Sequence, residues 1–391
     1  MIRSGNRLTL LENGAEYFPA LVAAIDAARH EIHLESYIYV ADVVGLAVAQ
    51  ALMRAARRGV ATRLLLDGFG SRSLAPELVR DLRAAGVELI FYRPSSGRLR
   101  RYRLRRMHRK LAVVDARIGF VGGINVVDDQ HGPNLATIRQ DYAVAVQGPL
   151  VADIHQAARR LWRLLEWSRM GLKRGEEAWI WADTRAVGEQ KAEFLVRDNL
   201  RRRRSIERAY LKAIGHAREE VLIANAYFLP GRRFRQALAE AARRGVRVTL
   251  VMQGHTDHLL YHAASRALYR FFLENGIQVY EHHASELHAK AAVIDGVWAT
   301  VGSSNIDPFS LLLAREANVI GHDPVFAADL RRRILLACDL GAHRIQHQAW
   351  RHIPWPLRFA AWLAYGMVRG LMGLAGYAQA YDGPGRVRHH S

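Results

Sequence analysis

His108-Arg109-Lys110-Leu111-Ala112-Val113-Val114-Asp115 is answered, 180 positions later, by His288-Ala289-Lys290-Ala291-Ala292-Val293-Ile294-Asp295. Both stretches fit His-x-Lys-x4-Asp. Each leads to a small-residue turn ending in asparagine, Gly122-Gly123-Ile124-Asn125 and Gly302-Ser303-Ser304-Asn305, with 17 residues from His to Asn in both copies. The chain's own residue frequencies give such a motif by chance only ~0.01 times, so two matched copies are not coincidence. Lys110 and Lys290 are two of only five lysines.

The repetition spreads outward from the motifs. Ala55-Ala56-Arg57-Arg58-Gly59-Val60 recurs as Ala241-Ala242-Arg243-Arg244-Gly245-Val246, each between a helical pattern and a strand pattern. Glu31 to Val40 matches Glu220 to Leu229 as a strand ending in aromatic residues, and Gly86-Val87-Glu88-Leu89 is echoed by Gly276-Ile277-Gln278-Val279. A period this long excludes a solenoid and predicts duplication of a whole α/β unit, with helices flanking a mostly parallel, buried sheet. The expected organisation is a first lobe over residues 7–170, a connector over 171–191, a second lobe over 192–349 and a distinct tail over 350–391.

Composition fits that reading. The chain has 391 residues, half of them hydrophobic, enough for two cores. Its charge is 56 − 37 = +19, which draws it to polyanions, either nucleic acid or anionic lipid. The single cysteine, Cys338, excludes an intrachain disulfide and a Cys-rich zinc site. His282, His283 and His288 hint at zinc, but no second ligand cluster supports them. The N-terminus offers no signal-type apolar core, and the first 340 residues hold no run suited to spanning a bilayer.

The motif spacing points to phosphate chemistry. His and Lys at i and i+2 on a strand share one face, so both can reach one phosphate. The apolar residues that follow suit a buried strand, and a turn would return Gly122, Gly123, Gly302 and Ser303 beside the histidines. There, small residues would leave backbone N–H groups free to approach phosphate oxygens. A neutral imidazole would attack phosphorus to give a phosphohistidine while the other, protonated, donates to the departing alcohol; the roles then reverse for the incoming alcohol. Lys110, Lys290, Asn125 and Asn305 would offset charge on the non-bridging oxygens, a task a metal performs elsewhere, so neither metal nor cofactor is expected. Each histidine also needs an orienting carboxylate. Asp141 and Glu316 are the candidates, because they open equivalent strands 33 and 28 residues after their motif histidines. Asp115 and Asp295 are counted with the catalytic set, a purely structural pairing being the other reading.

The doubled motif with its trailing Gly-Gly/Ser-x-Asn resembles the phospholipase D superfamily from Leu10 to about Asp339. Met107 to Lys110, Phe120 to Asn125, Ile223 to Phe228 and Ala299 to Pro308 are similar to the bacterial cardiolipin synthases, particularly the B-type form without N-terminal membrane helices. The resemblance implies two duplicated α/β lobes, each a mostly parallel or mixed sheet flanked by helices, related by a pseudo-twofold axis and sharing one active site. It further implies a phosphatidyltransferase that converts two phosphatidylglycerol molecules into cardiolipin and glycerol through a phosphatidyl-histidine, with the nucleophile on His108 and the general acid on His288. A phospholipase D-type hydrolase and a metal-independent nuclease remain the alternatives.

Two segments bear on that choice. Arg98 to Lys110 carries eight cationic residues in thirteen positions and runs into the first motif, placing it at the mouth of the site. Such a cluster suits anionic head groups or a nucleic-acid backbone equally. The tail discriminates: between Pro354 and Tyr381 it is rich in Trp, Leu, Ala and Gly, its uncharged runs are too short to span a bilayer, and Arg358 and Arg369 share a helical face. That pattern predicts a helix lying in the membrane interface. The expected partners are therefore an anionic phospholipid membrane and phosphatidylglycerol rather than nucleic acid, with the enzyme held peripherally at the cytoplasmic face of a bacterial inner membrane.

Overall fold

The computed structural model describes residues 1–93, 105–130, 138–170, 180–198, 202–254, 259–307, 310, 313–347 and 355–374. Residues 98–104 of the basic run, 131–137 of the loop before Asp141, 171–179 of the connector and 375–391 of the tail lie outside them.

The first half comprises β1 (Arg3–Glu12), α1 (Asn13–Asp26), β2 (Glu31–Ser36), α2 (Val43–Arg57), β3 (Ala61–Asp67), α3 (Pro76–Ala84) and β4 (Glu88–Tyr92). A short β5 (Arg106–Met107), β6 (Lys110–Val114), β7 (Ile118–Gly122), β8 (Tyr142–Gln147) and α4 (Val151–Met170) complete it. The second half runs β9 (Gln190–Arg197), α5 (Ser205–His216), β10 (Glu220–Asn225), α6 (Arg232–Arg243), β11 (Arg247–Gln253), α7 (Leu259–Arg266) and α8 (Tyr269–Glu274). It continues with β12 (Gln278–His282), β13 (Lys290–Ile294), β14 (Trp298–Gly302), β15 (Ala314–His322), α9 (Pro324–Gly341), β16 (Ala342–Arg344) and α10 (Trp355–Leu374).

The strands form one sheet in the order β16-β12-β11-β10-β13-β14-β15-β9-β1-β8-β7-β6-β2-β3-β4, with β5 off the path beside β15. Apart from β16, the order is the same from either edge when the halves are exchanged. The pseudo-twofold axis passes between β1 and β9, which pair antiparallel. One apolar core runs unbroken across both halves, joining Leu111 and Val113 of β6, Ile154 of α4, Ala291 and Val293 of β13 and Leu330 of α9. On the other face each half has its own core, under α1 and α2 in the first and α5 and α6 in the second.

Of the two sheet forms expected, mostly parallel or mixed, the mixed one is found. Along the main path only β2–β3–β4 and β10–β11–β12 pair in parallel; the other neighbours are antiparallel. The physical reason lies in the motifs. Each motif strand doubles back through a tight three-residue connection, 115–117 and 295–297, instead of crossing over by a helix. Asp115 and Ala116 have φ of +50° and +49°, and Asp295 and Gly296 of +50° and +63°. Positive φ at both central residues is what a twisted hairpin requires, and Asp tolerates it better than most side chains.

Candidate active site

The two motif histidines are each held by the opposite half of the chain. β5 lies parallel to β15, and the His108 N–H donates to the Arg315 carbonyl at 3.0 Å. The His288 N–H donates to the Gln140 carbonyl at 2.8 Å. The side chains repeat the crossing: His108 Nδ1 is 3.0 Å from Glu316 Oε1, and His288 Nδ1 is 2.5 Å from Asp141 Oδ2. With each Nδ1 donating to a carboxylate, each Nε2 is left for the substrate. Asp141 and Glu316 thus stand beside the histidines, each serving the motif of the other half.

The lysines complete the site. Lys110 Nζ donates to the His108 carbonyl at 2.9 Å, and Lys290 Nζ donates to that of His288. Lys290 is also 3.9 Å from Asp141. Burial pulls Lys110 down to about 7 and Lys290 down to about 8. It also lowers both imidazoles, His288 well below its ordinary value, with the Lys290, Arg139, Lys110 and His108 charges pressing the same way. Burial raises Asp141 to about 6. Burial would raise Glu316 too, but His108, Lys110 and the Ser303 hydroxyl outweigh it and hold that carboxyl below its usual range. With both imidazoles neutral, two ammonium groups balance two carboxylates. An arriving phosphodiester makes the site net negative and so favours placing a proton on one imidazole.

The half-sites are unlike in detail. Around His108, the Tyr37 ring lies edge-on at 4.7 Å and also sits 5.2 Å below Lys110 Nζ. Strand register aligns Tyr37 with Ala226 in the second half, because Tyr39 bridges Val126 as Phe228 bridges Ile306. Glu316 is held by Ser303 Oγ at 2.5 Å. The residue matching Ser303 is Gly123, where a Cβ would lie 2.2 Å from Asp141 Oδ1. Asn125 Oδ1 accepts from the Ile38 N–H at 3.1 Å. Asn305 is equally buried beside its own motif.

Two sequence expectations are corrected here. The small residues do not offer free N–H groups to phosphate: the Gly123 N–H donates to the Tyr142 carbonyl and the Ser303 N–H to that of Ala317. Gly122 and Gly302 lie inside the ladder, where a Cβ would fall 2.5 Å from Ala143 and 2.3 Å from the Asn318 side chain. Glycine is there to admit a neighbouring strand. Nor do Asp115 and Asp295 stand with the reacting groups. Each occupies the far end of its motif strand, roughly 16 Å from the lysine at a strand's rise per residue. The Asp115 carboxylate accepts the N–H groups of Arg29, His30 and Glu31. Asp295 does the same for Arg218, Glu219 and Glu220. They fasten the hairpin to the start of the neighbouring strand.

Sequence reading missed a buried polar row on one face of β2. Glu35 accepts from Arg109 Nη2 at 2.6 Å, both residues being almost fully buried. Arg109 therefore leaves the basic run for the interior, while Arg106 stacks 4.7 Å from the Phe69 ring. Farther along, Glu31 meets His155 of α4, with Arg63 at 3.2 Å. Glu31, His33 and His155 bring ligand-type atoms within 4.8 Å of one another. Arg63 Nη1, 3.4 Å from His33 Nε2, already supplies the cation of that group. Of the suggested zinc histidines, His282 meets Ser285 and His288 meets Asp141. The signal for the row was Glu31, His33, Glu35 and Tyr37 at strict period two.

Two like halves whose histidines, lysines and carboxylates interlock across a pseudo-twofold axis define the phospholipase D-like class of protein. The sequence model of the family described as "Cardiolipin synthase, PLD-like domain" matches residues 21–162 and 210–335. The chain is 45% identical over 351 residues to cardiolipin synthase B of Escherichia coli strain K12, covering 86% of this chain and 82% of that protein. It is 30% identical over 315 residues to the cardiolipin synthase of Geobacillus kaustophilus, covering 80% and 62%. In fold it is similar to the phosphatidylserine synthase of Haemophilus influenzae Rd KW20, with a TM-score of 0.66 at 12% identity over 96% of this chain and 94% of the other. The chain belongs to the cardiolipin synthase, PLD-like domain family. Among the described residues, no helix is long and apolar enough to cross a membrane.

Proposed function

We propose that this protein is a phosphatidyltransferase that makes cardiolipin from two phosphatidylglycerol molecules. The observation that carries the reading is the crossed pairing of His108 with Glu316 and His288 with Asp141, which sets two imidazoles on one site. His108 Nε2 attacks the phosphorus of the first lipid, and the bond to its head-group glycerol breaks. His288, protonated, donates to that glycerol oxygen. The terminal hydroxyl of the second lipid then loses its proton to His288, attacks the same phosphorus and frees His108. Atoms balance as two phosphatidylglycerol molecules giving cardiolipin and glycerol.

Lys110, Lys290 and the Asn125 and Asn305 side chains offset the growing charge on the non-bridging oxygens. The enzyme works from the cytoplasmic face of the inner membrane as a peripheral protein. Mass spectrometry of lipids formed by the purified chain from phosphatidylglycerol tests the proposal. Cardiolipin and glycerol are expected, with product abolished in His108→Ala and in His288→Ala. Phosphatidic acid as the only product, cleavage of plasmid DNA, or full activity in either variant refutes it.

A further inference from the structure

The motif residues lie at the carboxyl ends of β2 and β10, where Glu35 pairs with Leu111 and Asn225 with Lys290, and α10 is fastened to that same end of the sheet. It packs against α7, the helix that follows β11. Arg235, in the first turn of the helix that follows β10, donates to the Tyr365 hydroxyl at 3.1 Å. Among its described side chains, α10 buries Ala361, Ala364 and Val368, with Tyr365 half-buried beside them. Its outward stripe holds the large apolar side chains Phe359, Trp362, Leu363 and Met367, each between 51% and 66% exposed. A surface helix ordinarily turns its larger apolar residues inward, and among the described residues these four turn outward.

The first half shows a different feature at the same end. Phe69, just past β3, is 41% exposed and lies between the Arg72 and Arg106 guanidinium groups, each 4.7 Å from its ring centroid. Ser71 Oγ donates to the Tyr37 carbonyl at 3.0 Å, which ties this loop to the ring beside His108. The end of the molecule that holds the motif residues therefore carries an apolar helix face in the second half and an aromatic–cationic cluster in the first.

We propose that this end of the molecule is its docking face for an anionic lipid bilayer. Phe359, Trp362, Leu363 and Met367 enter the boundary between head groups and acyl chains, and Arg72 and Arg106 meet lipid phosphates. The inference rests on the lipid-substrate reading above and adds the orientation: both features present the histidines to the bilayer, so a lipid head group reaches them without its chains crossing water. The net charge of +19 complements such a surface.

Flotation of the full chain with vesicles of phosphatidylglycerol and phosphatidylcholine, and of phosphatidylcholine alone, tests this. Trp362→Ser/Leu363→Ser changes only outward residues, and circular dichroism confirms its fold. The wild type is expected to prefer the anionic vesicles, and the variant to bind them about a hundredfold more weakly. The variant should lose turnover on vesicles yet keep wild-type turnover of a dispersed short-chain phosphatidylglycerol. Unchanged vesicle binding overturns the proposal. So does a wild-type dimer that the substitution splits, since a second copy would then own the face. Absence of short-chain turnover in the wild type, with vesicle binding still lost in the variant, would sink the catalytic reading and leave the docking face standing.

Discussion

Arg109→Met breaks a buried ion pair that the protein itself shows to be dispensable. Glu35 and Arg109 meet at 2.6 Å with 3% and 2% of their side chains exposed. Strand register aligns them with Ala224 and Ala289 of the second half, since Glu35 pairs with Leu111 as Ala224 pairs with Ala291. Removing one partner from such a pair costs about 3–5 kcal/mol. The Arg315 charge also reaches Glu35, which puts the expected loss near ~3 kcal/mol. For a lobe of this size that lowers Tm by roughly 6–12 °C.

Glu35→Leu/Arg109→Met removes both charges and nearly keeps the volume, so it should restore the melting temperature or exceed it. The two variants should also differ in pH dependence. Burial raises the Glu35 carboxyl even with Arg109 present, and without its partner it rises further. A raised carboxyl contributes stability below its unfolded value, and this is lost as pH climbs toward the folded value. The deficit of Arg109→Met relative to the double variant should therefore be small near about pH 4 and full by about pH 8. Thermal melts followed by circular dichroism, with lipid turnover on each protein, decide it. A double variant as unstable as the single one, or a deficit that ignores pH, refutes the reasoning.

Three further outcomes are expected. Asp115→Ala strips an acceptor from three backbone N–H groups and should cost about 1–3 kcal/mol while leaving kcat of the folded protein unchanged; a large loss of kcat at unaltered Tm would restore the aspartate to the chemistry. Tyr37→Ala removes a ring contact from His108 and a cation–π contact from Lys110, so kcat should fall about tenfold to a hundredfold. Tyr37→Phe keeps both contacts and should stay near wild type, and equal losses in the two variants would argue against the ring. Because the free enzyme holds Lys110 near about 7 and Lys290 near about 8, kcat/KM should decline as pH rises through that range. The kcat profile should extend to higher pH, since a bound phosphodiester favours the ammonium forms. A kcat/KM profile flat to about pH 9 would contradict the lysine assignment.

The motif residues were legible because strand geometry turns a spacing of two into a shared face, and duplication supplied an internal control. Asp141 and Glu316 were legible for the same reason, as equivalent positions opening β8 and β15. Which histidine each carboxylate serves was not: Glu316 is 208 residues from its partner, and only the packing of halves about β1 and β9 decides the crossing. Gly123 and Ser303 were misread because glycine that admits a ligand and glycine that admits a neighbouring strand look alike in one dimension. The row Glu31, His33 and Glu35 reads as the wet face of an edge strand. It is buried because α4, over a hundred residues later, lays His155 and Trp162 across it.

The crossing of carboxylates also sets what a half-length chain could do. One motif, folded alone, would own a histidine and a lysine but would aim its acid at a neighbour it lacks. It could act only by meeting a second copy of itself, each lending the other its missing group. Once both copies sit on one chain that symmetry is no longer enforced. Serine against glycine, glutamate against aspartate and tyrosine against alanine are differences that two identical subunits could never hold.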